Sequence, residues 1–214
     1  MANIGVLFIP PPSARANEPY GRACLVVEEL SPEDPQHVTT TVFDDSSKPG
    51  QRKRLALYVD ATVDSHVLVA AFNDKDRRLT NGWRPQLVEL KEWEERRLPL
   101  APVAWEWLTQ ADAFDVYIVF LERVAEGFET LQNLVAAMQD PQADPVLLDL
   151  QAKKLREEIA RWMTRQEGPT FHAGASSSAW GGTLRGQPFP WPKMAQKATM
   201  RANGHGVLIY RHGL

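Results

Sequence analysis

The residues that come nearest to a catalytic pattern lie between Gly168 and Gly186. The run GASSS at 174–178 begins like the Gly-x-Ser-x-Gly turn that carries the nucleophile of many hydrolases, and His172 stands just before it. A histidine is a common general base for a serine nucleophile. The second glycine is missing and no apolar strand leads into the run, so a hydrolase using His172 with Ser176, Ser177 or Ser178 is an alternative hypothesis. A flexible loop has the same composition.

Two tryptophans in the same region are accompanied by basic residues. Trp180 and Trp191 alternate with Arg185 and Lys193 among glycines and prolines. Trp and Arg are favoured anchors at protein interfaces, and aromatic residues interleaved with basic ones also suit single-stranded nucleic acid. A third interpretation is that both indoles pin an irregular segment onto the core. We predict that these four residues bind a protein partner, with nucleic acid as the alternative.

Metal-ligating residues are scattered along the chain. The five histidines do not cluster and Cys24 has no partner cysteine, so the sequence carries no zinc signature. The run GGTLRG at 181–186 offers backbone amides and an arginine, but it lacks both common nucleotide-binding fingerprints. The sequence therefore predicts no metal and no cofactor, and it favours a surface position for His205.

Several carboxylates are neighbours in sequence, among them the pairs Glu28-Glu29 and Glu94-Glu95. Adjacent residues on a strand or a helix point in different directions, so adjacency does not build an acid/base pair. We expect these pairs to lie on solvated faces.

Composition limits the kinds of protein that the sequence can encode. The chain has 214 residues, 43% of them hydrophobic, which is enough for one substantial core. No apolar run approaches the roughly 20 residues needed to span a bilayer, so no membrane segment is predicted. A single cysteine, Cys24, excludes an intrachain disulfide and favours a reducing, cytoplasmic location. Its apolar neighbours predict a small buried side chain rather than a nucleophile.

Charge is distributed unevenly along the chain. Beyond Glu167 there are five basic residues and no acidic one, whereas the whole chain carries −3, so the rest carries −8. A basic carboxyl-terminal region on an acidic body favours an anionic partner, or an internal match between the two parts.

The most regular part of the chain is Glu122–Gln166, which predicts two antiparallel helices joined at Pro141–Pro145. Apolar residues recur there at steps of three and four, so each helix must bury one face. Asp144 before Pro145 is a good start for the second helix, since the carboxylate can cap amides and proline fits the first position. Trp162 belongs to the predicted buried face.

Alternating and continuous apolar patterns predict strands on both sides of this hairpin. Ser65–Asn73 is apolar on both faces, which predicts a central strand, and Gln86–Leu90 is a short edge strand. Trp105 and Trp107 are predicted in the core. The other predicted strands are Asn3–Ile9, Ala23–Glu28, Val38–Phe43, Arg54–Asp60, Val103–Leu108, Val116–Leu121 and Val207–Arg211.

These elements predict an α+β fold. One largely antiparallel sheet or small sandwich would carry the hairpin on one face, and the last strand would return to the sheet. We predict a single domain over 1–214, with a β-rich part at 1–121, the hairpin at 122–166, and an irregular basic segment with the final strand at 167–214.

The order of features in Arg54–Leu121 resembles a known family. Two strands, an acidic turn at Asp74–Asp76, an Asn-Gly bend, a proline-flanked Trp segment and an apolar strand follow one another. This is similar to the uncharacterised β-domain often found beside bacterial caspase-like peptidases and in some secretion-associated lipoproteins. The sequence departs from that family at Ala111–Phe114, where a glycine-rich turn is usual. The resemblance implies an accessory, non-catalytic module.

With no complete catalytic constellation in the sequence, the leading hypothesis is a non-enzymatic intracellular binding or adaptor module. Its contact surface would be Gly168–Lys193, and its partner a protein, such as a bacterial peptidase or a component of a defence-type system.

Overall fold

The computed structural model describes residues 19–34, 38–44, 47–73, 83–100, 104–107, 113–121, 127–139, 142–165, 171–173, 196–200 and 205–212. The predicted strand Asn3–Ile9 and most of the predicted contact surface lie outside these residues.

Eleven strands and two helices make up the described chain, and the α+β prediction is confirmed. The strands are β1 (Tyr20–Leu30), β2 (Val38–Val42), β3 (Lys53–Ala61), β4 (Ser65–Asn73), β5 (Gln86–Leu90), β6 (Arg96–Leu98), β7 (Trp105–Glu106), β8 (Phe114–Leu121), β9 (Phe171–Ala173), β10 (Gln196–Thr199) and β11 (His205–His212). The helices are α1 (Phe128–Met138) and α2 (Pro145–Arg165).

The strands form two sheets. The first sheet has the order β10-β1-β3-β6, with β2 also paired to β1 and β7 to β3; the second has the order β5-β4-β8-β11-β9. All pairings between described strands are antiparallel except that of β9 with β11. As predicted, β4 is central, β5 lies at the end of its sheet, and the last strand returns to the sheet.

A shared core lies between the two sheets. Alternate residues of β3 point into it, with Leu55, Leu57 and Val59 fully buried, as the strand pattern predicts. Trp83 stacks on Trp105 with ring centroids 5.1 Å apart. The first sheet therefore has an inner face against the second sheet and an outer face turned away from it.

The helical hairpin packs on the other face of the second sheet. Leu68, Ala70 and Phe72 of β4 contribute to this second core, together with Leu155 and Trp162 of α2. The start of α2 is as predicted, because Asp144 Oδ1 accepts a hydrogen bond from Val146 N at 2.7 Å. None of the helices in the described residues combines the length and the apolar character that a bilayer-crossing segment needs.

Three short strands are absent from the sequence prediction. β6, β9 and β10 have three or four residues each, which is too few for a readable period. Their strand form comes from their partners: β6 pairs with β3, β9 with β11 and β10 with β1.

Candidate functional site

Most of the predicted site residues lie outside the described chain. His172 is in β9, where its backbone pairs with that of Ile209. The predictions made for Ser176, Ser178, Trp180, Arg185, Trp191 and Lys193 stay predictions, because these residues are not described.

Cys24 lies on the outer face of the first sheet and is buried, as predicted. Burial raises the pKa of its thiol to about 12. A thiol must ionise to act as a nucleophile. Cys24 is therefore a small apolar side chain in the described fold.

The prediction of a surface position for His205 is wrong. His205 is buried in β11, and its Nε2 atom lies 2.9 Å from the carbonyl oxygen of Trp162 in α2. On β4, His66 packs its ring against Phe128 at the start of α1, with centroids 4.5 Å apart. Both histidines therefore join the second sheet to the helical layer. Their position could not be read from the sequence because it depends on strand pairing.

Glu28 also differs from the prediction, since it is buried rather than solvated. It lies on β1 at 3% exposure and faces two arginines from neighbouring strands. Arg97 donates to Oε1 and Oε2 over 2.7 and 2.6 Å, and Arg54 donates to Oε2 over 2.6 Å. Burial alone would raise the pKa of Glu28, but the hydrogen bonds and charges of Arg97 and Arg54 outweigh it and lower the pKa.

A second arginine–carboxylate pair lies further along the same face. Arg22 Nε donates to the two carboxylate oxygens of Asp60 over 2.8 and 3.1 Å. Between the two pairs lies Tyr58, whose pKa is raised to about 12 by burial and by the charge of Glu28. Arginines from neighbouring strands pair with both carboxylates, so the two ion pairs link β1, β3 and β6.

The most exposed aromatic residue among the described hydrophobic side chains is Trp93, at 56% exposure. It lies in the turn that leads from β5 to β6, next to the connection between β3 and β4. Its φ angle is 60°, in the left-handed region. A non-glycine residue pays about 1 to 2 kcal/mol for that conformation, so the surrounding structure must hold it there.

Hydrogen bonds fix this turn on both sides. Trp93 N donates to Ala61 O over 2.7 Å, and Glu92 N donates to Asp64 Oδ1 over 2.9 Å, which ties the turn to the end of β3 and the start of β4. Within the turn, Glu94 N donates to Lys91 O over 2.9 Å, and Lys91 N donates to Glu94 Oε2 over 3.0 Å. The hydrogen bond from Lys91 lowers the pKa of Glu94.

Trp93 shares this end of the sandwich with an aromatic–cation pair. The ring of Tyr20 meets that of Trp93 edge-on, with centroids 6.3 Å apart. The Nζ atom of Lys197, from β10, lies 4.7 Å from the centre of the Tyr20 ring. Trp93 Nε1 donates to Glu92 Oε1 over 3.2 Å, so the indole N–H is engaged and the ring face is what the side chain presents to a ligand.

Carboxylates outnumber cations around this indole. Lys91 Nζ already pairs with Glu89 Oε1 at 2.6 Å and lies 3.8 Å from Asp64 Oδ2. The charged groups of the turn and its contacts are the anions Asp64, Glu89, Glu92, Glu94 and Glu95 and the cations Arg22, Lys91, Arg96 and Lys197. An aromatic face with a net negative rim is suited to a cationic or apolar group and disfavours a phosphate.

The sequence carries one signal for this site. Trp93 is the only large apolar residue in the charged segment Lys91–Arg97. The charged segment has no pattern of apolar residues that would predict a buried position for Trp93. Its display on a fixed turn depends on contacts with Ala61 and Asp64 that the sequence does not reveal.

Within the described residues, no group of three His, Cys, Asp or Glu side chains is placed to hold a metal ion. Comparison of the chain with protein-family models, with curated proteins and with solved structures finds no match. The resemblance to the peptidase-associated β-domain therefore stays a prediction.

Proposed function

We propose that the protein is a non-enzymatic binding module that acts as an adaptor for another protein. One observation carries the proposal: an exposed tryptophan, Trp93, is held in a left-handed backbone conformation by hydrogen bonds from both sides of its turn. Strain of this kind is maintained at binding and active sites. A rigid exposed indole gives large contact area at low entropic cost, which is why Trp is frequent among binding hot spots.

The partner is expected to bring a basic side chain to Trp93. The indole N–H is engaged by Glu92, so binding uses the ring face. A guanidinium or ammonium group over an indole is attracted by the ring. The carboxylates of the turn and its contacts, which outnumber the cations there, add to this attraction. The same carboxylates would repel the phosphates of nucleic acid, which makes nucleic acid the weaker hypothesis for this surface.

Two finer parts of the proposal rest on the sequence. The resemblance over 54–121 makes a bacterial peptidase the first partner class to test, and the single cysteine favours the cytoplasm as the place of action. The predicted surface at Gly168–Lys193, with Trp180, Arg185, Trp191 and Lys193, is proposed as a second contact region for the same partner.

Affinity capture from the native host tests the proposal. Tagged wild-type protein should retain a stoichiometric protein partner, identified by mass spectrometry. The Trp93→Ala variant should lose most of it, and Trp93→Phe, which keeps an aromatic face, should lose less. Leu100→Ala is the matched control, because Leu100 is an exposed apolar residue outside the turn. The double variant Trp180→Ala/Trp191→Ala tests the second region.

Three outcomes would contradict the proposal. Equal recovery of the partner by wild type and Trp93→Ala, with both folded, would remove Trp93 as the anchor. Recovery of nucleic acid in place of protein, lost steeply as salt is raised, would favour the nucleic-acid hypothesis. Labelling of Ser176, Ser177 or Ser178 by a serine-directed covalent probe would favour the hydrolase hypothesis.

A further inference from the structure

The outer face of the first sheet is buried, although both described helices pack on the second sheet. Val26 and Ala56 are 0% exposed, and Cys24 and Tyr58 are 3% and 8% exposed. Among the described residues, the apolar cluster that these four side chains form has members from β1, β2 and β3 alone. We call Cys24, Val26, Ala56 and Tyr58 the outer-face patch.

The side chains of the sheet do not account for the burial of this patch. Val26 lies directly opposite Ala56 on one side and Val42 on the other, and neither is larger than Val26. Directly opposite residues share a face of the sheet, so these neighbours cannot cover the methyl groups of Val26 from above. The arginines of β3 and β6 on this face are directed at Glu28. Another segment of the chain must therefore lie over the patch.

The free edge of β2 beside the patch is buried as well. Phe43 N donates to Leu25 O over 2.9 Å. Hydrogen bonding alternates along an antiparallel pair, so the N–H and C=O groups of Thr40 point away from β1. Among the described strands β2 pairs only with β1, yet Thr40 is 2% exposed. Buried backbone groups are almost always hydrogen-bonded, so the covering segment is expected to have strand character.

We infer that the amino-terminal segment Asn3–Ile9 binds the outer-face patch of its own chain. Only two stretches outside the described residues, 1–18 and 174–195, are longer than nine residues. Asn3–Ile9 has five large apolar residues out of seven, which is the composition of a strand that is buried on both faces. The stretch 174–195 is instead rich in glycine, serine and proline, which disfavour a strand.

The length of the chain before β1 allows this contact. Ten residues join Ile9 to Tyr20, the first residue of β1, and ten residues span up to about 33 Å when extended. Val26 is six residues beyond Tyr20, which is about 20 Å along a strand. The segment can therefore reach back over the middle of β1, where the patch lies.

The two long stretches also differ in charge. The charged side chains that β1, β3 and β6 direct to the outer face are three arginines and two carboxylates, namely Arg22, Arg54, Arg97, Glu28 and Asp60. Cations are thus in excess by one (3 − 2 = 1). Residues 1–14 contain no charged side chain, whereas 174–195 contains two basic residues and no acidic one. An uncharged apolar segment is easier to bury against this face than further cations are.

An occupant from the same chain limits where a partner can bind. The outer-face patch is filled by the amino-terminal segment, whereas Trp93 is 56% exposed. The Trp93 turn is therefore open to a partner protein, and the apolar centre of the first sheet is not.

Site-specific photo-crosslinking in the full-length chain tests the contact. The variant Phe8→benzoylphenylalanine should give crosslinks that mass spectrometry maps to the peptides of β1 and β3 that carry the outer-face patch. Trp191→benzoylphenylalanine is the matched control in the other long stretch, and it should give no crosslink to these peptides. A variant at position 8 that does not crosslink to the patch, or a variant at position 191 that does, would overturn the inference.

The single cysteine provides a second measurement. Phe8→Asp should release the segment, so labelling of Cys24 by a thiol reagent should become at least about tenfold faster than in wild type. Leu100→Asp, a matched change at an exposed leucine outside the patch, should leave the rate unchanged. A Phe8→Asp variant that unfolds cooperatively in urea and still protects Cys24 would contradict the inference. Photo-crosslinking decides the question if Phe8→Asp does not fold.

Discussion

The backbone of Gly21 in β1 lies directly against the ring of Phe120 in β8, so the two sheets of the sandwich touch at this point. A Cβ atom on residue 21 would stand closer than 3.0 Å to three ring carbons of Phe120. Phe120 is fully buried between the sheets and cannot swing into solvent. Glycine is therefore required at position 21 by the distance between the sheets.

This contact predicts a large difference between two glycine substitutions. Gly21→Ala should destabilise the protein by about 3 kcal/mol, because an extra methyl group overpacks the core. Gly50→Ala should change the free energy of unfolding by less than about 0.5 kcal/mol, since its Cβ would meet only the flexible Lys53 side chain at 3.4 Å. Urea denaturation of both variants measures the difference. Similar values for the two would show that the sheets are further apart at Gly21.

Glu28 provides a second matched comparison. Glu28→Gln should lower the free energy of unfolding by about 2 kcal/mol, because Arg54 and Arg97 lose the charged acceptor of their hydrogen bonds. Its neighbour Glu29 is exposed and lies 4.0 Å from Lys53 Nζ, so Glu29→Gln should cost less than about 0.5 kcal/mol. Thermal denaturation distinguishes the two. If Glu28→Gln left the free energy of unfolding unchanged, Arg54 and Arg97 would not need the charged carboxylate as their hydrogen-bond acceptor.

The same carboxylate predicts a pH dependence of stability. The pKa of Glu28 is lowered in the folded protein from its ordinary value of 4.5. Its contribution is therefore fully present above pH 4.5 and is lost as the pH falls below 4.5 toward the folded pKa. The difference in free energy of unfolding between wild type and Glu28→Gln, measured by urea denaturation, should shrink in that window. A difference that stays constant from neutral pH through this range would contradict the prediction.

Substitutions of Trp93 should affect the free energy of unfolding and the binding of the partner differently. Glycine adopts a φ of 60° freely, so Trp93→Gly should be more stable than Trp93→Ala by about 1 kcal/mol. Both variants should lose the protein partner. Chemical denaturation together with affinity capture tests this, and an alanine variant as stable as the glycine variant would show that the turn relaxes when the indole is removed.

Cys24 should resist thiol reagents in the native protein. Its pKa is raised to about 12 by burial, so almost no thiolate is present at pH 8. A colorimetric thiol assay should detect no reactive group in buffer and one per chain in denaturant. Rapid native labelling would indicate that the outer face of the first sheet opens.

Some of this structure follows from short stretches of sequence. The face assignments of β3 and β4, the start of α2 at Pro145 and the burial of Trp105 and Trp162 were all predicted from period and local chemistry. Such features depend on residues within a few positions of one another, and the hydrophobic effect then fixes which face is buried.

Tertiary structure alone decided the candidate site in the described chain. Arg97 reaches Glu28 across 69 positions of sequence, and Glu92 reaches Asp64 across 28. When the strand pairing is not known, Glu28 is predicted to be solvated, and Trp93 is an isolated aromatic residue in a charged segment. The sequence by itself determined where the longer strands and the two helices form, because their periods are local. The fold decided which carboxylate is buried against arginines and which aromatic side chain is exposed on a turn. Hydrogen bonds and ion pairs act only between atoms that the fold brings together.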